Sequence, residues 1–167
     1  MLQFNKVSTL KETELISRLA REIFHEVYDP IVPHDFTESY IQENQSVAAI
    51  SEQIQHKNFE YYLLNFDSQT AGYIGYQYKK EKIFLSKFYI LKEFRGNSIG
   101  SEALQFIENE IFKKNIPIIE LFVNQLNKRA IEFYLKNGFT ITKEMENKSH
   151  LFPDLTIMDY LMTKERI

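Results

Sequence analysis

The strongest chemical signal in the chain is a polar turn, Arg95-Gly96-Asn97-Ser98-Ile99-Gly100. It follows an apolar and aromatic run, LSKFYIL. It precedes a segment in which Ile99, Ala103, Phe106, Ile107 and Ile111 recur near the 3.6-residue period. The pattern predicts strand, tight turn, helix. The N–H groups of a first helical turn, here reaching Ser101, have no partner inside the helix, and the helix dipole adds positive charge there. Such a turn is a site for phosphate oxygens, and Gly96 and Gly100, lacking Cβ, let a ligand approach the main chain. A plain strand-to-helix connection would use the same residues, so the motif gains meaning only from its surroundings.

Two further groups could do chemistry. Asn127 and Tyr134 fall on one segment, NKRAIEFYLKNG, at a separation that puts them within about 20° of one helical face. Asn127 either caps that helix or offers its amide to a ligand. Tyr134 either gives a proton to a departing anion or packs as a core aromatic with its hydroxyl satisfied. The second group is YDPIVPHDF, residues 28–36. Its two prolines argue against a continuous helix. The stretch is either a connector or an acceptor loop, with Tyr28, Asp29, His34, Asp35 and Phe36 lining a pocket for an amine. Glu26, Asp29, Asp35 and Glu60 are candidate bases, each equally readable as a solvated surface carboxylate. His25, His34, His56 and His150 show no metal-ligand spacing, and no metal is expected.

The elements that must position these groups follow from periodicity and punctuation. Leu2–Val7 is a short strand, and Ser8 or Thr9 caps a helix running to about Val27. A short helix over Thr37–Asn44 and another capped by Ser46 come next. Phe59–Phe66, Ala71–Lys79 and Lys82–Leu91 read as an antiparallel meander with short polar turns. The helix after the polar turn ends near Lys113–Asn115, before Pro117. Ile118–Val123 is a buried strand, and the strand–helix–strand order implies a right-handed crossover and one parallel pair. A helix over Asn127–Asn137, capped by Gly138, leads to two last strands, Phe139–Met145 and Thr156–Met162.

Composition bounds the rest. The 167 residues suit one domain, 1–167, with 44% hydrophobic and 26% charged residues. A net charge of −3 offers no basic field for nucleic acid. There is no cysteine, hence no disulfide, thiolate nucleophile or cysteine-based zinc site. No apolar run reaches bilayer length and no signal-peptide core opens the chain, so no membrane partner and a cytoplasmic location are expected.

Taken together, RGNSIG, the element order and NKRAIEFYLKNGF resemble the GCN5-related N-acetyltransferase family over almost the whole chain. IFLSKFYILKEFRG is also similar to bacterial polyamine acetyltransferase-like members. The resemblance implies an α/β (α+β) fold, with a mixed, mostly antiparallel central sheet of about seven strands flanked by helices and one parallel pair at the donor site. It implies acetyl-CoA as co-substrate and a small primary amine or polyamine as acceptor, in a monomer or homodimer. The pantetheine arm would pair with the main chain of Phe88, Tyr89 and Ile90. The pyrophosphate would meet N–H groups from Arg95 through Ser101, and Asn127 would reach the pantetheine amide. Tyr134 would stand beside the thioester sulfur. Ser98 departs from the family pattern, standing where its first motif glycine is expected. A non-catalytic acyl-CoA-binding module and an acetyltransferase for peptide or protein N-termini are the competing functions. A nucleotide-binding regulator is disfavoured, because no P-loop lysine follows the glycines.

Overall fold

The computed structural model describes residues 1–165. Strand β1, Leu2–Lys6, leads into helix α1, Leu10–Tyr28. Thr9 caps α1 by accepting from the Glu12 N–H, while the Glu12 carboxylate accepts from the N–H groups of Ser8 and Thr9. Helix α2, His34–Asn44, starts directly after Pro33, and α3, Val47–His56, is capped by Ser46. The expected connector is therefore shorter than the sequence implied. Proline needs no N–H at a helix start, so Pro33 opens α2 instead of blocking it. Tyr28 closes α1, and His34, Asp35 and Phe36 form the first turn of α2.

Strands β2, Phe59–Phe66, β3, Gln69–Tyr78, and β4, Lys82–Ile90, form the antiparallel meander. A short 3-10 turn, Lys92–Phe94, and the polar turn lead to α4, Ile99–Lys113. Strand β5, Ile118–Asn124, helix α5, Lys128–Lys136, and strands β6, Thr140–Lys148, and β7, Thr156–Glu165, complete the chain. The seven strands form one sheet in the order β1-β2-β3-β4-β5-β7-β6, with β4 and β5 as its parallel pair. The expected mixed, mostly antiparallel sheet is thus observed.

Each face of the sheet carries its own core. On one face, Ile99, Ala103, Ile107 and Ile111 of α4 and Ile131 and Tyr134 of α5 pack on Ile74, Leu85 and Leu121. On the other, Ile16, Ala20 and Ile23 of α1, Ile41 of α2 and Ile50 of α3 pack on Tyr61 and Tyr73. The central strands read as near-continuous apolar runs because both faces are covered; β3 buries Ala71 through Tyr76 without a break.

Candidate active site

The site exists because two parallel neighbours part company. β4 and β5 pair only from Lys82–Ile118 to Phe84–Glu120. Beyond Phe84 the strands separate, and a cavity of about 670 Å³ opens between them. In β4, Tyr76 opposes Leu85 and Gly75 opposes Lys87, so Ser86 is the extra residue of a bulge. A bulge bends its strand and frees main-chain groups from the ladder. The buried Lys87 ammonium donates to the Ser86 hydroxyl at 2.8 Å, bracing this bend from the α1 face. On the side where β5 has departed, the β4 edge from Leu85 to Ile90 faces the cavity without a strand partner. Ser86, Phe88, Tyr89 and Ile90 line it.

At one end of the cavity stands the polar turn. Arg95, Gly96, Ser98, Gly100 and Ser101 line it, whereas Asn97 and Ile99 do not. Asn97 donates its side-chain amide to the Phe94 carbonyl, and Ile99 is buried in the core. Ser98 sits at the N-cap of α4 with φ 60° and ψ 0°, left-handed and without a side-chain cap bond. Gly96 is also left-handed, at φ 86°. The Arg95 guanidinium is fully engaged inside the protein. Its Nη1 and Nη2 donate to the Glu26 carboxylate at 2.6 and 2.5 Å, and its Nε donates to the Ile90 carbonyl at 2.8 Å. The turn is thereby tied to both α1 and β4. The Arg95 N–H is engaged as well, donating to the Lys92 carbonyl at 3.3 Å, so Arg95 serves to hold the turn in place.

Gly100, which lines the cavity, also has a packing role. A Cβ there would meet the Phe133 ring at 3.0 Å, so the glycine lets α4 approach α5. Lys128 and Arg129, in the first turn of α5, add positive charge to the cavity wall. The sequence does contain a signal for them. Cations at a helix N-terminus oppose the dipole, and the Glu26 carboxylate is a nearby anion that favours the Arg129 charge.

Asn127 caps α5 by accepting from the Ala130 N–H at 3.3 Å. Its oxygen is committed to the helix, and its amide NH₂ remains for the cavity that Asn127 lines. Tyr134 is 8% exposed, its ring held against Phe88, Phe133 and Phe139. Among the described residues its hydroxyl has no hydrogen-bond partner, and the residue lines the cavity. Burial pushes its pKa well above that of an ordinary phenol, so it stays a neutral proton donor.

The end of α1, with Glu26, Val27 and Tyr28, forms a further wall of the cavity. Tyr28 shares a 3.2 Å hydrogen bond with the Tyr89 hydroxyl. Burial pushes Tyr28 up to about 12 despite that bond. Asp29, His34, Asp35 and Phe36, expected beside Tyr28, do not line the cavity. The short turn after α1 carries them to its outer side, where Asp29 faces His25 and His34, and Phe36 packs edge-on against Phe152.

The candidate bases sort by environment. Glu26 lines the cavity, but the Arg95 hydrogen bonds hold its carboxyl below the usual range. Asp29 is held at about 2, first by the His34 hydrogen bond. Glu60 lies off the cavity, bonded by Tyr62, Tyr76 and Lys6. Asp159 of β7 was not singled out in the sequence. It opposes Asn124, and two residues along, Leu161 opposes the cavity-lining Phe122. Asp159 does not itself line the cavity, but opposed and alternate residues share a face, so it stands on the same side as Phe122, away from the buried Met162. Its charge contributes to raising Tyr28, and burial raises its own pKa against the lowering Asn147 hydrogen bond. One acidic position in the last strand carries no periodic signal.

A splayed parallel pair, a bulge at the split and a glycine turn at a helix N-terminus define an acyltransferase of the kind the sequence resembles. Residues 19–139 match the model of the acetyltransferase (GNAT) family, and the chain belongs to that family. It is 28% identical to a spermidine N(1)-acetyltransferase of Thermoplasma acidophilum, over 84% of this chain and 89% of that protein. Among solved structures, it superposes on the PaiA N-acetyltransferase of the same organism in complex with coenzyme A, with a TM-score of 0.81 and 24% identity over 99% of both chains. The ribosomal-protein-S18-alanine N-acetyltransferase of Escherichia coli superposes with a TM-score of 0.70 and 16% identity, over 99% of this chain and 94% of that one.

Proposed function

We propose that the protein transfers an acetyl group from acetyl-CoA to the primary amine of a small polyamine-like acceptor, by direct attack in a ternary complex. One observation carries the reading: an unpartnered tyrosine hydroxyl, proton-bearing at neutral pH, lines the cavity where β4 and β5 separate. The resemblance to a CoA-bound relative and to a spermidine acetyltransferase supports the donor and the acceptor class.

In this reading the pyrophosphate lies over the turn from Arg95 to Ser101, with Lys128 and Arg129 at its flank. The pantetheine arm pairs with the free edge of β4 and with the Asn127 amide. The acceptor enters past Tyr28 and Tyr89. Its neutral amine attacks the acetyl carbonyl, and main-chain N–H groups along Phe88–Ile90 stabilise the oxyanion. As the tetrahedral intermediate collapses, the C–S bond breaks and the Tyr134 phenol protonates the leaving thiolate. Asp159, whose burial raises its basicity, takes the proton that the acceptor's ammonium must shed before its nitrogen can attack, directly or through water.

The test is an acceptor screen with acetyl-CoA that measures free thiol release and the acetylated product. Spermidine and related polyamines are expected to turn over, and Asp159→Asn is expected to lower kcat/KM for them while leaving CoA affinity intact. Acetylation confined to peptide N-termini would overturn the acceptor class. Absence of thiol release with every amine, in protein that binds CoA, would leave a non-catalytic acyl-CoA module.

A further inference from the structure

Outside the cavity, on the far side of the α1–α2 turn, the chain assembles a group that the transfer reaction does not use. His25 from the last turn of α1 and His34 at the start of α2 stack, with ring centroids 4.7 Å apart and planes 21° from parallel. A single carboxylate oxygen ties both rings at the same position. Asp29 Oδ2 lies 3.0 Å from His25 Nδ1 and 2.9 Å from His34 Nδ1. Two near-parallel imidazoles anchored through Nδ1 at one point direct both Nε2 atoms to the same side. Glu38 waits on that side, with Oε1 2.6 Å from His25 Nε2. Donor atoms of His25, His34 and Glu38 all lie within 4.8 Å of one another.

We propose that His25, His34 and Glu38 bind a divalent transition metal, Zn²⁺ being the ion that two imidazoles and one carboxylate suit. Asp29 is the outer carboxylate that accepts N–H from both rings. It holds the proton on each Nδ1, so that when the Nε2 proton His25 shares with Glu38 leaves to solvent, both Nε2 lone pairs face the metal, an arrangement common around ligating histidines. Tetrahedral Zn²⁺ with bonds near 2.0–2.2 Å needs ligand atoms about 3.3 Å apart. His34 must therefore close in and Glu38 must draw back slightly. The His34 side chain is 64% exposed and has room to move.

Without metal the same residues form an ion-pair network, since Arg21 Nη1 also donates to Glu38 Oε1, at 2.5 Å. That pair is half-exposed at Arg21 and holds little energy. The carboxylate can keep Arg21 on one oxygen and place the other on the ion. With metal bound, the end of α1 is clamped to the start of α2, behind the segment that presents Tyr28, Pro30 and Ile31 to the cavity. The pairing was hidden in the sequence because His34 read as a loop residue. On a helix, His34 and Glu38 are one turn apart, as are His25 and Asp29.

The experiment titrates Zn²⁺ into untagged, EDTA-stripped protein by calorimetry, with Co²⁺ absorption as a report on coordination. The expected result is one saturable site per chain in the micromolar range or tighter, with a Co²⁺ visible spectrum typical of four- or five-coordinate nitrogen and oxygen ligands. His34→Ala should abolish both, and Asp29→Asn should weaken affinity by about 10–100-fold. Melting temperatures of the metal-free variants report that the fold survives. Absence of saturable binding in the wild type overturns the proposal. So does an unchanged isotherm in His25→Ala/His34→Ala, which would place the ion on the exposed His56 or His150.

Discussion

Ser98 shows how a departure from a family pattern can conserve the geometry the pattern exists to provide. The position needs a left-handed backbone, and serine supplies it at φ 60°. For an L-residue that conformation costs roughly 1–2 kcal/mol, part of which is recovered because serine is less free than glycine when unfolded. Ser98→Gly is therefore expected to stabilise the protein by about 0.5–1 kcal/mol, read as a higher urea midpoint at unchanged m-value. Tyr134 gives a sharper functional test. Its hydroxyl has no partner among the described residues, so Tyr134→Phe removes no internal bond and should leave the melting temperature close to wild type. If the phenol protonates the thiolate, kcat should fall by about a hundredfold, the low end for general acids since a thiolate already leaves readily, with little change in donor KM. Wild-type turnover in the folded variant would remove Tyr134 from the mechanism and leave the proton to come from water.

Between elements, the Arg95–Glu26 pair matters most, because it fastens the glycine turn to the last turns of α1. Glu26→Gln should destabilise by about 1 kcal/mol after solvent screening and loosen the turn, weakening CoA binding. The Glu26 pKa is lowered in the fold, so this contribution is complete above the ordinary glutamate value and disappears as pH falls through the depressed one. In Glu26→Gln the acid side of the stability profile should be correspondingly flatter. Most elements were legible from periodicity: β2 begins and ends where its apolar run does, and α4 stops before Pro117 as punctuation requires. The start of α2 was misread, since Pro33 is equally a breaker and a helix opener. β7 continues to Glu165 because Thr163, Lys164 and Glu165 pair with β5, an instruction that lies in the partner strand. In the site, the glycine turn, Asn127 and Tyr134 stand out by type and spacing. Ser86 and Asp159 do not, since a bulge and a shared sheet face arise only once distant strands have met.

Across the whole molecule, the proposed donor site draws on the turn, on β4 and on α5 together, and none of these surfaces exists in the unfolded chain. A ligand specific for the native state stabilises it by mass action, by about 2.7 kcal/mol at a hundredfold excess over Kd. For a chain of this size that converts to a rise of roughly 5–10 °C in melting temperature. CoA or acetyl-CoA should produce this shift in the presence of EDTA, which separates it from any metal effect. Gly100 is a poor position at which to test the turn, because a larger residue would strike Phe133 and cost stability and binding alike. Gly96 is the better one. Nothing lies within 4 Å of where its Cβ would stand, but φ 86° strains any L-residue and distorts the path of the following N–H groups. Gly96→Val should lower the melting temperature of the free protein modestly and lose most of the CoA shift. If the variant melts lower and still gains the full increment, the pyrophosphate is not held by these amides, and Lys128 and Arg129 become its main anchors. If the wild type gains nothing at millimolar CoA, the assignment of the donor fails with it.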